Sequence, residues 1–234
     1  MTGKIYLIPT TLGDSDISSV IPNDVVEIVN QIDYYIVEDE RTARRYLKKL
    51  KIVKTIDELT FFVLNKHTET KDIPSFLNPA KSGNNIGIIS EAGCPGIADP
   101  GNDIVRLAHE SGIQVVPLVG PSSILMALIS SGMNGQNFAF NGYLPFDKTD
   151  KSAKIKQLES RSRTEKQSQI FMETPFRNQS ILETIVNSCS SSTKLCIATD
   201  ISLKTEYIKT DTIANWKKKL PEINKRPTIF IIQA

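Results

Sequence analysis

Short apolar runs alternate with helical patterns along the first half of the chain. Four of these runs have the length and composition of buried strands: KIYLIP (4–9), YYIV (34–37), IGIIS (86–90) and QVVPL (114–118). Apolar residues recur at helical spacing between them, near 22–32, 41–50, 73–81 and 101–111. Regular alternation of strand and helix predicts a parallel sheet with helices on both faces.

The second half follows a different pattern, because most of its predicted strands succeed one another with short gaps. Its predicted elements are a helix near 151–160, a strand at 168–173, a helix that carries Ile181, Leu182, Ile185 and Val186, strands at 194–199, 205–210 and 228–233, and a helix at 212–219. This order predicts a mixed sheet. We therefore expect an α/β protein with domains at residues 1–134 and 135–234.

Three loops rich in Gly, Pro and Ser directly follow predicted strands. They are PTTLGDSD (9–16), SEAGCPGIADPG (90–101) and LVGPSS (118–123). Ligands of open parallel sheets bind at the carboxyl ends of the strands, where glycine lets the backbone approach them. The three loops therefore predict a pocket. They contain no dinucleotide fingerprint, phosphate-binding loop or nucleophile elbow, which argues against NAD, ATP and serine-hydrolase chemistry.

Composition sets wider bounds. The chain has 234 residues, of which 40% are apolar and 23% are charged, as in ordinary globular proteins. Its net charge is only +2, so the chain as a whole has no strong electrostatic attraction to nucleic acid. No window approaches the roughly 20 apolar residues that span a bilayer, and we expect a soluble cytoplasmic protein without a membrane partner. Three cysteines without C-x-x-C spacing and two histidines predict reduced thiols and no metal site.

One local run of charge differs from this balance. The segment RTARRYLKKLKIVK (41–54) contains seven basic residues and no acid. On a helix, five of them share one surface, here called the basic face: Arg41, Arg44, Arg45, Lys48 and Lys49. Two interpretations remain open, a merely solvated helix face and a surface that binds phosphates.

The motifs of this chain resemble those of a known family. They are YLIPTTLGD, IVEDER, GIISEAGCPGIADPG, VVPLVGPSSILMALISSGM, FNGYLP and METPFRNQSILETI, in this order. Together they are similar to the tetrapyrrole methylase family of S-adenosylmethionine-dependent methyltransferases, and within it to the branch that methylates the cytidine 2'-hydroxyl of small-subunit ribosomal RNA. The resemblance implies two α/β/α domains, S-adenosylmethionine in a cleft between them, an RNA substrate and a homodimer.

The resemblance also implies site residues. The cofactor contacts would come from Pro9, Thr10, Gly13, Ser90, Ala92, Gly93, Cys94, Pro95, Gly120, Pro121, Ser122, Ser123, Met172, Glu173 and Ala198. Glu91 would lie near the transferred methyl group, as a base or as an orienting acceptor, or would only brace its loop. Independently of the resemblance, the basic face predicts that Arg41 and Arg45 hold the acceptor, and Arg177 could hold an acceptor phosphate or merely form a surface ion pair. Simpler roles are open for three further acids, because Glu38 and Asp39 precede the basic helix and Asp99 suits an N-cap.

Several positions depart from the branch that the chain resembles. Glu40 stands where that branch has Thr, Phe176 where it has His, and Thr199-Asp200-Ile201-Ser202-Leu203 where it has Arg-Glu-Leu-Thr-Lys. The cofactor loops are intact, whereas the acceptor side has changed. The sequence thus leaves three interpretations open: a methyltransferase that acts on RNA, one that acts on a tetrapyrrole, and a silent module that binds S-adenosylmethionine and serves in regulation or RNA binding.

Overall fold

The computed structural model describes residues 2–234, which form two compact units. The first unit ends at Ser122, and the second runs from Ser123 to Ala234. This division lies on the N-terminal side of the boundary predicted between residues 134 and 135. The reason is that the helix at 123–131 packs against strands of the second unit.

The first unit is built on a five-stranded parallel sheet, as predicted. Its strands are β1 (Lys4–Ile8), β2 (Tyr34–Val37), β3 (Thr60–Val63), β4 (Ile86–Ile89) and β5 (Gln114–Pro117). They lie in the order β3-β2-β4-β1-β5. The apolar pattern does not predict β3, an edge strand whose four residues are exposed or half-buried and so lack the pattern of a buried strand.

Helices cover both faces of this sheet. They are α1 (Asn23–Val29), α2 (Glu40–Lys49), α3 (Asn78–Lys81), which follows a 3-10 turn at Ile73–Leu77, and α4 (Asn102–Glu110). On one face Tyr35 packs in a core with α1 and α2, and on the other Ile36 packs in a core with α3 and α4. Successive strand residues thus point to opposite helical layers, and the α/β/α prediction for this unit is confirmed.

The second unit contains a mixed sheet, also as predicted. Its strands are β6 (Phe138–Tyr143), β7 (Ser168–Met172), β8 (Lys194–Thr199), β9 (Tyr207–Thr212) and β10 (Thr228–Gln233). They lie in the order β6-β7-β10-β8-β9, with β6 parallel to β7 and the other neighbours antiparallel. Strand β6 was not predicted, because Asn141 and Gly142 interrupt its apolar pattern, and the pairing with β7 shifts register there.

The helices of the second unit also lie on both faces of their sheet. They are α5 (Ser123–Ser131), α6 (Lys148–Glu165), α7 (Asn178–Ser188) and the short α8 (Ile213–Trp216). The main core joins α6, α7 and α8 to one face. Helix α5 packs against β8, β9 and β10, where the Thr210 hydroxyl donates to Ser131 O at 2.7 Å.

Two findings concern the whole described chain. The three cysteines are free, since none of them forms a disulfide. Within residues 2–234, none of the helices is long and apolar enough to cross a membrane.

Candidate functional site

The carboxyl ends of three neighbouring strands place the predicted loops at one edge of the first sheet. Strand β1 lies between β4 and β5, and all three run in the same direction. The loops that follow Ile8, Ile89 and Pro117 therefore leave the sheet side by side. Parallel sheets bind their ligands at this edge.

These loops contact one another directly. The Thr10 N–H donates to Gly93 O at 2.9 Å, and the Ser90 hydroxyl donates to the same oxygen at 2.7 Å. The Cys94 thiol lies 3.4 Å from Pro121 O and completes the link to the third loop. The structure thus brings together candidate residues from all three loops.

Two glycines allow this close packing. A Cβ at Gly120 would lie 2.2 Å from Pro9 Cγ, which is a severe overlap. Gly93 has a φ of +77°, and a Cβ there would lie 3.1 Å from Leu12 Cδ2 and 3.2 Å from Pro121 O. A side chain at either position would push the loops apart, which explains why glycine stands there.

The first loop also carries a buried hydroxyl with an unmet hydrogen bond. Thr10 is 4% exposed, and its Oγ1 has no hydrogen-bond partner among residues 2–234. Helix α2 braces this loop, since the Tyr46 hydroxyl donates to Pro9 O at 2.7 Å and Lys49 Nζ lies 2.9 Å from Asp14 Oδ1. Buried polar atoms are rarely left unpaired in folded proteins, so Thr10 Oγ1 indicates a place for a bound polar group.

Three acids gather beside the loops, at the ends of β2 and β4. Burial, together with the charges of Glu91 and Asp39, raises the pKa of Glu38. Burial, together with Glu38 and Glu91, raises the pKa of Asp99 to about 6. In the part of the chain that the structure describes, Glu38, Glu91 and Asp99 form no ion pair. This edge of the first unit therefore carries uncompensated negative charge.

The structure separates the roles of the individual acids. Asp39 is the N-cap of α2 and accepts from the Thr42 N–H at 2.9 Å, as predicted. The predicted N-cap role of Asp99 is wrong. Helix α4 begins after Gly101, and Asp99 lies two residues too early to cap it. Glu91 is exposed and accepts a hydrogen bond of 2.6 Å from the Thr42 hydroxyl, which fixes one of its carboxylate oxygens.

The remaining cofactor candidates lie in the second unit and have different surroundings. Met172 ends β7 and is half-buried, whereas Ala198 is fully buried within β8. Glu173 is buried, and its Oε1 accepts from the Thr174 N–H at 2.8 Å and from Arg177 Nη2 at 2.5 Å. Lys151 Nζ lies 3.2 Å from Glu173 Oε2. Burial alone would raise the pKa of Glu173, but these three partners lower it.

Lys151 was not among the predicted site residues, although its position in the sequence carries a signal. On α6 this residue lies four positions before Ile155 and seven before Leu158, so it falls on the stripe that the helix buries. A lysine on such a stripe needs a buried acid as its partner. We call the three residues Lys151, Glu173 and Arg177 the buried ion cluster.

The basic face of α2 divides into paired and unpaired cations. Arg44 pairs with Glu40 at 2.8 Å and lies over the Phe61 ring, and Lys49 is held by Asp14. The other three side chains are exposed and pair with no acid in the described part of the chain: Arg41, Arg45 and Lys48. The helix buries Ala43, Tyr46 and Leu47 on its opposite side, as predicted.

No group of three or more His, Cys, Asp or Glu side chains within residues 2–234 could hold a metal ion.

The fold is that of methyltransferases with two α/β units. The chain superimposes on a crystal structure of the methyltransferase CobJ with a TM-score of 0.65 at 15% identity, covering 99% of this chain and 94% of that one. It superimposes on cobalt precorrin-4 methyltransferase CbiF with a TM-score of 0.62 at 13% identity, covering 98% and 94%. The predicted tetrapyrrole-methylase-like fold is confirmed.

Curated relatives define the family. Ribosomal RNA small subunit methyltransferase I of Haemophilus influenzae is 30% identical over 237 residues, which cover 100% of this chain and 79% of the relative. The protein of the same name from Escherichia coli O157:H7 is 29% identical over 235 residues, covering 99% and 78%. No family model matches the chain.

The chain therefore belongs to the family of ribosomal RNA small subunit methyltransferase I. It is a methyltransferase, and the predictions of this activity and of S-adenosylmethionine as its cofactor are confirmed by the membership.

Proposed function

We propose that this protein methylates a ribose 2'-hydroxyl of small-subunit ribosomal RNA in the cytoplasm, as a homodimer. The observation that carries the proposal is the meeting of three strand-end loops in a chain of this family. The name of these relatives supplies the class of RNA. The particular hydroxyl and the dimer rest on the family resemblance of the sequence.

The loops of the first unit fit S-adenosylmethionine. This cofactor supplies an activated methyl group on a positively charged sulfonium, and it also carries a carboxylate, an amine and hydroxyls. Thr10 Oγ1 has an unmet hydrogen bond that a hydroxyl or a carboxylate could complete. The uncompensated charges of Glu38, Glu91 and Asp99 favour a cationic group at the same edge of the sheet. We propose that Met172, Glu173 and Ala198 contribute from the second unit.

Glu91 is the residue that we propose to act on the acceptor proton. The Thr42 hydroxyl holds Glu91 Oε1 at 2.6 Å, and the exposed side chain leaves Oε2 available to accept. A ribose hydroxyl is a weak nucleophile until its proton is accepted by a base or held by an orienting acceptor. In this proposal Glu91 takes or orients that proton while the loops hold the donor in line.

The basic face supports RNA as the acceptor. Arg41, Arg45 and Lys48 project into solvent without an acidic partner among the described residues, so binding a phosphate there breaks no ion pair. RNA presents phosphates over a surface much wider than a pocket, and a row of cations on one helix matches such a surface. A tetrapyrrole would need only a few cations inside a cleft.

Methyl transfer from labelled S-adenosylmethionine tests the proposal. Small ribosomal subunits from a strain that lacks the gene should gain one ribose methyl group, and subunits from the parent strain should gain none. A map of ribose methylation in the two strains should differ at the same nucleotide. Transfer to a tetrapyrrole precursor with none to ribosomal subunits would contradict the proposal.

The proposed homodimer is tested by light scattering, which should report about twice the chain mass.

A further inference from the structure

Two phenylalanines of the second unit are exposed to an unusual degree. Phe146 is 80% exposed and lies just before Asp147, the N-cap of α6. Phe176 is 76% exposed and lies in the short 3-10 turn Pro175–Arg177 that precedes α7. Exposed rings of this size add nothing to the core, and rings held at the start of a helix are available to a partner.

Arg177 connects the two phenylalanines. It follows Phe176 in the chain, and its guanidinium carbon lies over the Phe146 ring, 4.9 Å from the centroid. The side chain is 34% exposed, so part of the guanidinium reaches solvent. Its Nε is buried and donates to no acceptor among residues 2–234. We call Phe146, Phe176 and Arg177 the aromatic platform.

The buried ion cluster fixes the position of Arg177. The side chain of Glu173 is fully buried, and its Oε1 accepts a hydrogen bond from Arg177 Nη2 at 2.5 Å. A solvent-exposed arginine samples many rotamers, whereas Arg177 is held by a charge-assisted hydrogen bond to the buried Glu173. The platform is therefore preorganised, and a ligand that stacks on it loses little entropy to order the arginine.

The cluster also leaves the platform positively charged. Lys151 and Arg177 share the single carboxylate of Glu173, so one positive charge remains. Lys148 is exposed two residues after Phe146, and the backbone N–H of exposed Lys225 donates to Pro175 O at 2.9 Å, which places a second lysine beside the turn. The nearby acids Asp147 and Asp150 are exposed, and Asp147 is committed to capping α6.

We propose that the aromatic platform binds an unpaired nucleotide of the RNA substrate, with a base stacked on Phe146 or Phe176 and a phosphate at Arg177. Aromatic rings with an adjacent guanidinium and lysines are what proteins use to bind unpaired RNA, because every base has a π face and each linkage carries a phosphate. The proposal rests on the proposed function, since it names where this enzyme holds the strand that it methylates.

The test measures binding of a labelled single-stranded 12-mer oligoribonucleotide and of the same strand in a duplex, by fluorescence anisotropy at fixed salt. The full-length variants are Phe146→Ala, Phe176→Ala, Arg177→Lys and Phe146→Trp. Phe138→Ala is the matched control, because Phe138 is an exposed phenylalanine of the same unit and no cation from residues 2–234 stacks on its ring. Calorimetry with S-adenosylmethionine checks that the phenylalanine variants keep their cofactor affinity.

Loss of a stacking ring should lower the affinity for the single strand about tenfold. The duplex, whose bases are not available for stacking, should bind more weakly to the wild type and change little in the variants. Arg177→Lys should also weaken binding, because lysine keeps the charge but not the planar group. Phe146→Trp should retain the wild-type affinity, and Phe138→Ala should not change it.

Three results would overturn the platform: no binding of the single strand by the wild type, equal affinities in wild type and both alanine variants, or equal losses for single strand and duplex. The proposed function is tested separately by methyl transfer to ribosomal subunits. If the wild type transfers no methyl group but the alanine variants lose single-strand affinity, the proposed function fails and the platform stands. If transfer is normal in both alanine variants, with unchanged KM, the platform fails and the proposed function stands.

Discussion

The two units hold the charges of their candidate sites in opposite ways. In the first unit, Glu38 and Asp99 have no cationic partner among the described residues, and their pKa values are raised. In the second unit, Glu173 lies between Lys151 and Arg177, and its pKa is lowered. The first arrangement costs folding energy, whereas in the second each partner compensates the burial of the other.

The difference indicates different tasks. An edge that keeps unpaired acids is ready for a positively charged group, and the stability given up there can be recovered when such a group binds. The charge of a buried acid between two cations is already balanced within the protein, so the acid can anchor the exposed side chain that it holds. On this view the first unit binds a charged ligand directly, and the second unit positions a side chain that does so.

The largest effect is expected at the anchor. Glu173→Gln leaves Lys151 buried without a counter-charge, and losing one partner of a buried pair costs about 3 kcal/mol of unfolding free energy. Trp216 is the single tryptophan of the chain and lies in the second unit, so its fluorescence in a urea titration reports this unit. Glu165→Gln is the control, because it removes an exposed pair with Arg161 and should cost about 0.5 kcal/mol or less. Equal costs for the two variants would contradict the anchor.

The next effect is expected where the loops of the first unit meet. Gly120→Ala places a Cβ against Pro9, and an overlap of this kind costs about 1–3 kcal/mol, which we expect to appear as weaker binding of S-adenosylmethionine. Isothermal titration calorimetry measures the change. The matched control is Gly135→Ala, since a Cβ at Gly135 meets nothing within 4 Å. Unchanged affinity in Gly120→Ala would place the cofactor away from these loops.

A smaller effect is expected from the unpaired acids. The pKa of Asp99 rises from 3.8 to about 6 on folding, so the folded protein holds this proton more tightly than the unfolded chain does. The contribution of Asp99 to the unfolding free energy is therefore fully present below about pH 4 and is lost as the pH rises to about 6. Since Asp99 is only half-buried, solvent screening limits the loss to on the order of 1 kcal/mol.

Asp99→Asn should remove that loss. Unfolding in urea, followed by circular dichroism at pH 4.5 and pH 7.5, should show a variant that is more stable than the wild type by a clearly larger margin at pH 7.5, because only part of the loss has occurred at pH 4.5. Asp103→Asn, which replaces an exposed acid on α4, should not reproduce this pattern. A variant that is no more stable than the wild type at pH 7.5 would mean that the acids of the first unit are compensated after all.

The smallest effect on the folded protein is expected from the basic face. Arg45 and Lys48 are exposed and unpaired in the described chain, so reversing both to Glu should change the unfolding free energy by about 0.5 kcal/mol or less. Binding of RNA should nevertheless lose up to about one unit of log–log salt slope for each phosphate contact removed. Anisotropy titrations at several salt concentrations measure this slope. Reversing the exposed Lys204 and Lys217 of the second unit to Glu makes the same change in net charge and is the control, and an equal change of slope there would mean that α2 is only a solvated face.

The sequence determined the local parts of this protein, because local spacing and turn chemistry encode them. Strands 34–37, 194–199 and 228–233 lie where the apolar runs predict them, and the Gly- and Pro-rich loops lie at strand ends as expected. The edge strands β3 and β6 were missed because they are partly exposed, so their patterns are weak. The basic face was likewise visible from helical periodicity alone.

Only the tertiary structure decided which distant residues meet. The strand order β3-β2-β4-β1-β5 brings Glu91 close enough to Glu38 and Asp99 to raise the pKa of both, although Glu91 and Asp99 lie more than fifty residues beyond Glu38. Folding also brings Lys151 of α6 to Glu173 after β7, and Arg177 to the Phe146 ring. Burial and electrostatic pairing depend on distances in space, which are set when helices and strands pack, and a single sequence carries no direct record of them.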